Sequence, residues 1–149
     1  MNAMTADPAV DEAIALVEEQ FGVMFNRIRT VWKQSAEQVH PDLQPAGYKL
    51  LSSIVRLGPT NAHVLAEHLE MDKSVVSRQV RVLEEVGLVT SRPDERDGRL
   101  RVLAATPEAE ERIRAVRDAN QARLRDALRD HPAEDLRRFA DLLRVISEA

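Results

Sequence analysis

The chain of 149 residues contains no cysteine, which excludes disulfide staples, thiolate metal sites and sensing through thiol oxidation. No run of apolar residues is long enough to span a bilayer, and the opening Met1-Asn-Ala-Met-Thr-Ala-Asp-Pro8 has neither the basic nor the apolar part of a signal peptide. A soluble cytoplasmic protein with no membrane partner is therefore expected. Internal repeats and low-complexity segments are also absent. There is no nucleophile–base pair, no phosphate-cradling glycine loop and no nucleotide fingerprint, so nothing points to an enzyme or to a cofactor. The length suits one compact unit, or one small domain with helical extensions.

A net charge of -4 argues at first against a nucleic-acid partner, but the charge is unevenly spread. Between Lys73 and Arg101 stand the cations Lys73, Arg78, Arg81, Arg92, Arg96, Arg99 and Arg101, against the anions Glu84, Glu85, Asp94, Glu95 and Asp97. An acidic body with a locally basic lobe can bind DNA while limiting non-specific adhesion.

That basic stretch organises the chain. Asp72-Lys-Ser-Val-Val-Ser-Arg78 and its continuation to Val86 read as a helix with two faces. Val76, Val80, Leu83 and Val86 recur at helical spacing and form a buried stripe. Lys73, Ser74, Ser77, Arg78 and Arg81 step off that stripe and carry the cations and hydroxyls suited to phosphates and base edges. Asp72 is placed as the N-cap and Gly87 as the left-handed residue beyond the helix end. Upstream, Asn61 to Leu69 reads as a shorter amphipathic helix, separated from the Asp72 cap only by Glu70 and Met71. Downstream, Leu88–Arg92 and Leu100–Ala105 alternate as strands around a polar tip, 93–99, that holds Pro93, Gly98, Arg96 and Arg99. Helix, tight turn, helix and hairpin make a winged helix-turn-helix.

The flanks are helical. Val10 to about Val39 carries Ile14, Val17, Phe21, Met24, Phe25, Ile28, Val31 and Trp32 at helical spacing and is longer than the lobe needs. His40-Pro41 breaks it, and Pro45 opens a second helix to about Leu57, ended by Gly58-Pro59. Thr106-Pro107-Glu108 caps and opens a helix that runs to about Arg129 with Ile113, Val116, Leu124, Ala127 and Leu128 as its apolar residues. After Asp130-His-Pro132, a last helix from Ala133 to Ser147 holds Leu136, Phe139, Leu142, Leu143 and Ile146. These flanking stripes lack intramolecular cover, so a homodimer is expected. The fold class is mainly α with a small β-hairpin wing, comprising six helices and a dimerisation bundle from the N- and C-terminal helices. The expected division is a disordered tail over 1–9, an N-terminal dimerisation helix over 10–40, the DNA-binding domain over 45–106 and C-terminal dimerisation helices over 107–149.

The residues now on the page resemble the MarR (multiple antibiotic resistance regulator) family over nearly the whole chain. The resemblance is carried by Leu65-Ala66, Asp72 to Arg78, Leu83-Glu-Glu-Val-Gly-Leu-Val89, the wing Asp94-Glu-Arg-Asp-Gly-Arg99 and Leu103 to Pro107. It implies a homodimeric transcriptional regulator, most often a repressor, on a pseudo-palindromic operator of double-stranded DNA. The fourth helix of each protomer would lie in a major groove and each wing in a minor groove. Carried over by position, Lys73, Ser74, Ser77, Arg78 and Arg81 face bases or phosphates, and Arg96, held by Asp94, enters the minor groove. Arg99 and Asp97 either contact DNA or pair the wing back onto the lobe. Two residues depart from the family pattern: Glu70 stands where glycine is usual in the turn, which suggests another backbone conformation there, and Gln44 stands where Ser or Thr commonly caps the second helix.

Other features have two readings each. Met24, Trp32 and Tyr48 lie where this family often takes a small aromatic effector, and core packing explains them equally well. Glu37 and His40 are one turn apart, but neither a cysteine nor a second suitably spaced histidine completes a metal set. His63 and His68 do not share a helix face. The alternative to a regulator is a helical protein-interaction module that keeps the winged-helix fold and has lost DNA binding, which would suit the acidic total.

Overall fold

The computed structural model describes residues 6–149. Six helices and one hairpin follow in the order α1 (Pro8–Val39), α2 (Pro45–Leu57), α3 (Ala62–Leu69), α4 (Lys73–Glu85), β1 (Val89–Pro93), β2 (Arg101–Ala105), α5 (Pro107–Leu128) and α6 (Ala133–Glu148). The architecture is the expected winged helix-turn-helix.

Helix starts follow local chemistry. Asn61 accepts from the Val64 N–H at 2.9 Å and so caps α3, while Thr106 accepts from the Ala109 N–H at 3.3 Å and caps α5. Gln44 provides no side-chain cap, and α2 relies on Pro45 at its first position. At the N-terminus the expected tail over 1–9 is too long. Asp7 accepts from Ala9 N–H at 3.0 Å, and α1 begins at Pro8, because an aspartate followed by proline supplies both a cap and a pre-set first turn. The first five residues of that tail lie outside the described ones.

The turn between α3 and α4 keeps the backbone that glycine would take. Glu70 adopts a left-handed conformation (φ 51, ψ 40), with its N–H bonded to Glu67 O at 3.3 Å and Met71 N–H to Ala66 O at 3.0 Å. Gly87 ends α4 in the same way (φ 75), with bonds from Gly87 N–H to Glu84 O and from Leu88 N–H to Leu83 O. The conformational change expected from Glu70 therefore does not occur. Paired hydrogen bonds and the packing of half-buried Met71 against the core outweigh the strain of a side chain at positive φ.

The hairpin pairs Val89 with Ala105, Ser91 with Leu103 and Pro93 with Arg101. Each strand starts one residue later than its alternation suggests. Leu88 is fully buried, its N–H closing the α4 end, and Leu100 belongs to the wing tip, where its carbonyl accepts from Asp94 N–H. Thr60, at the α2–α3 connection, adds a bridge to Leu103 on the other side of β2. The wing is thereby tied to the start of α3.

One aliphatic core joins the lobe. Leu50, Leu51 and Ile54 of α2 pack with Leu65 of α3, Val76 and Leu83 of α4, Leu88 and Leu103. Val80 and Val86, the other members of the α4 stripe, are half-buried against it. The same core takes Ala36 and Val39 from the end of α1 and Ala109, Ile113 and Val116 from the start of α5. Arg112 donates to the Val39 carbonyl at 2.7 Å and Asn120 to Ser35 Oγ at 3.1 Å, stitching α1 to α5. Packing therefore runs continuously across the expected boundaries at 40 and 107. Beyond the lobe the picture reverses: α1 is 32 residues long, about 48 Å at 1.5 Å per residue, and no residue of α6 is buried. Among the described residues no helix is long and apolar enough to cross a membrane.

Candidate nucleic-acid interface

The α4 helix presents Ser74, Ser77, Arg78 and Arg81 on the face opposite buried Val76 and Leu83, with Lys73 at its edge, and all five are exposed. Asp72 fixes the start of that face. Its Oδ1 accepts from both the backbone N–H and the hydroxyl of Ser74, each at 2.8 Å. The hydroxyl and then the backbone bond from Ser74 hold the Asp72 carboxyl below the usual carboxylate range, assisted more weakly by the charge of Arg78.

At the wing, Asp94 acts on the chain rather than on a guanidinium. Its Oδ1 accepts from the backbone N–H groups of Arg96 at 2.8 Å and Asp97 at 3.0 Å, and these two bonds, in that order, hold its carboxyl below the usual range. The expected hold of Asp94 on the Arg96 side chain is not seen among the described contacts: the carboxylate binds the Arg96 main chain instead, because the turn brings that N–H to it, and the Arg96 side chain is left exposed at the tip. Asp97 accepts from Arg99 N–H at 3.1 Å and stands 3.4 Å from its Nε. This pair is internal to the tip and does not dock the wing onto the lobe.

The other wing cations are engaged too. Arg92 faces Glu95 at 3.9 Å, and Arg101 reaches across the hairpin to donate to Ser91 O at 3.2 Å and Ser91 Oγ at 2.8 Å. Among the described residues, Lys73, Arg78, Arg81 and Arg96 have no carboxylate within ion-pair distance. Between α3, α4 and the wing lies a cleft of about 460 Å³ lined by Asn61, His63, Ser77, Glu84, Arg99 and Arg101, among others. The helix face and the wing tip thus flank a polar groove.

Sequence reasoning missed the bracing partners: Ser91 under Arg101, and Thr60 alongside Leu103. Neither contact has a local spacing that would reveal it, since the hairpin register brings Arg101 to Ser91 and the packing of the α2–α3 connection on β2 brings Thr60 to Leu103.

The other candidate sites separate. Met24 lines an apolar groove of about 280 Å³ between α1 and α6, together with Leu16, Val17, Phe21, Phe139 and Leu143. Trp32 and Tyr48 do not line that groove. Trp32 is exposed with Lys49 Nζ 3.7 Å above its ring, and Tyr48 packs half-buried against the lobe core. His40 Nδ1 accepts from Asp42 N–H at 3.1 Å, His63 stands 3.3 Å from Glu67, and His68 Nε2 accepts from Arg56 at 2.8 Å. Among the described residues no three His, Asp or Glu side chains converge as a metal site.

Residues 42–100 match the MarR family. The chain is similar to the uncharacterized HTH-type transcriptional regulator YxaD of Bacillus subtilis, 26% identical over 121 residues that make up 81% of this chain and 85% of that one. Among solved structures it is similar to a MarR family transcription regulator with TM-score 0.82 and 19% identity, covering 99% of this chain and 94% of the other. It is likewise similar to FabT of Streptococcus pneumoniae, solved in complex with DNA, with TM-score 0.81, 14% identity and coverage of 91% and 95%.

Proposed function

Residues 42–100, which hold the helix-turn-helix and wing, match the MarR family, and from that match we propose that the chain is a member of it and a sequence-specific DNA-binding transcriptional regulator. It acts as a homodimer on a pseudo-palindromic operator, as a repressor, with α4 in the major groove and the wing in the adjacent minor groove. Lys73, Ser74, Ser77, Arg78 and Arg81 make the helical contacts, and Arg96 makes the minor-groove contact.

One observation carries this reading. Within residues 73–101 the cations on the α4 face and at the wing tip have no carboxylate partner among the described residues, whereas Arg92, Arg99 and Arg101 are each engaged within the wing. Cations on a folded surface that are left without carboxylates and grouped on one side suit a polyanion. FabT, similar in fold, was solved with DNA. Dimerisation has separate support: α6 buries none of its residues within one chain, and Ile14, Val17 and Phe25 of α1 are exposed. In this reading the chain divides by role. Residues 10–40 and 107–149 form the dimer bundle and 45–106 the DNA-binding domain, although their packing is shared. Release by a small aromatic effector near Trp32 and Tyr48 completes the proposal, with Trp32 exposed on α1 to meet it, while Met24 lies apart in the α1–α6 groove.

The test is binding to the protein's own upstream intergenic DNA in a gel shift, wild type against Arg96→Ala. The variant should bind at least roughly tenfold more weakly, the order of one charged hydrogen bond, with its oligomeric state and helicity unchanged. Equal affinity at physiological salt would remove the wing assignment. Absence of any shift for wild type would favour the interaction module.

A further inference from the structure

Resting on the reading of α4 as the base-contacting helix, we infer that Ser74 determines specificity as a hydrogen-bond acceptor, receiving an exocyclic amine of adenine (N6) or cytosine (N4).

A serine hydroxyl ordinarily reads any base, because it has one donor hydrogen and two acceptor lone pairs and rotates to suit. Ser74 lacks that freedom. Its hydroxyl hydrogen is committed to Asp72 Oδ1 at 2.8 Å, and its backbone N–H donates to the same oxygen at 2.8 Å, so two bonds anchor the residue against one carboxylate. That carboxyl is held below the usual range, so at neutral pH it is an anion and a strong acceptor, and the hydrogen stays with it. The exposed side of the Ser74 oxygen then offers only lone pairs.

Two consequences follow from the charge and the polarity. Phosphate oxygens are acceptors and carry negative charge, so an acceptor-only oxygen beside the Asp72 anion does not serve as a phosphate contact. In the major groove, guanine N7 and O6 and thymine O4 are acceptors and are rejected for the same reason, while adenine N6 and cytosine N4 are donors. Ser77, one turn along on the same face, has no such commitment among the described residues and lines the cleft under the wing. The two serines of one helix face thus have different chemistry, and Asp72 is the positioning residue that makes them differ.

The experiment begins with wild type selecting from duplexes randomised over the half-site. Anisotropy then gives affinities for wild type, Ser74→Ala and Ser74→Thr on the selected duplex. The same duplex is also tested with each adenine replaced in turn by purine, which lacks the 6-amino group, and each cytosine by its 4-unsubstituted analogue. At one position per half-site the analogue should cost wild type about fivefold, the size of one ordinary hydrogen bond. It should cost Ser74→Ala nothing, with Ser74→Thr behaving as wild type. The inference is overturned if no amine deletion distinguishes wild type from Ser74→Ala. Should wild type select no sequence at all, the DNA-binding reading itself falls, which is a different result from normal selection without a Ser74-dependent amine. The analogue series on wild type needs no variant to fold, so it stands alone.

Discussion

Glu70 and Gly87 hold the same place in the same helix-ending motif, and only one of them is a residue that takes positive φ without strain. A left-handed conformation costs an L-residue roughly 1–2 kcal/mol, while glycine gives back part of that through its freer unfolded chain. Glu70→Gly is therefore expected to stabilise the protein by about 1 kcal/mol, read as a higher midpoint in urea at unchanged slope. A lower midpoint would contradict the strain. Asp72 and Asp94 carry a second prediction at this scale. Both carboxyls are held below the ordinary aspartate value of 3.8 by hydrogen bonds that only the ionised form can accept in full. The order they lend to the α4 cap and the wing tip is therefore present above that ordinary value and is lost as pH falls through the lowered ones. Carboxyl NMR titration should place both midpoints below 3.8, and a midpoint at or above it for either residue would refute the bonding described. The caps Asp72 and Thr106 were legible because capping is local chemistry. That Asp94 binds backbone rather than the Arg96 guanidinium was not, because a sequence gives the pair but not which of its atoms meet.

Among the elements, α2 faces α4 closely at Gly47. A Cβ there would lie 2.6 Å from Leu43 Cδ1 and 2.9 Å from Gln79 Oε1. Alanine favours the helix by about 1 kcal/mol, but overpacking typically costs 1–3 kcal/mol. Gly47→Ala should thus destabilise by about 1 kcal/mol in the same urea assay, and a gain would mean that Leu43 and Gln79 yield freely. In the wing, Arg101 spans the two strands and Thr60 adds a third line of pairing. Arg101→Ala should accelerate amide exchange in β1 and β2 while leaving α4 protected. Uniform protection across the variant would show that the brace is idle. The helices were readable to within a residue or two from apolar spacing, caps and prolines. Each strand was read one residue early, since alternation does not say where core filling ends and ladder pairing begins. Leu88 is apolar at the right parity, yet it belongs to the end of α4.

For the whole molecule, charge placement matters more than charge total. The net is -4, yet four cations with no carboxylate partner among the described residues, Lys73, Arg78, Arg81 and Arg96, share the proposed DNA face. Two protomers bring eight, and neutralising that many phosphates gives a slope of log affinity on log salt of about -7. A slope near zero would show that the face does not meet phosphate. Among the described residues, Ile14, Val17 and Phe25 of α1 are exposed and no residue of α6 is buried. Sedimentation should accordingly report a dimer, and Phe139→Glu, which places a charge in the α1–α6 groove, should shift it toward monomer. A monomeric wild type would undo the assembly on which the paired half-sites depend.

By itself the sequence determined the element order, the two-faced character of α4 with its buried stripe, and the cap residues. All of these are set by spacing along the chain and by side-chain chemistry that acts over a few residues. Only the tertiary structure decided which cations remain free, which polar atom each carboxylate holds, and that α1 and α5 enter the lobe core. Those outcomes depend on distances between residues far apart in sequence, and such distances exist only once the hairpin register and helix packing have closed.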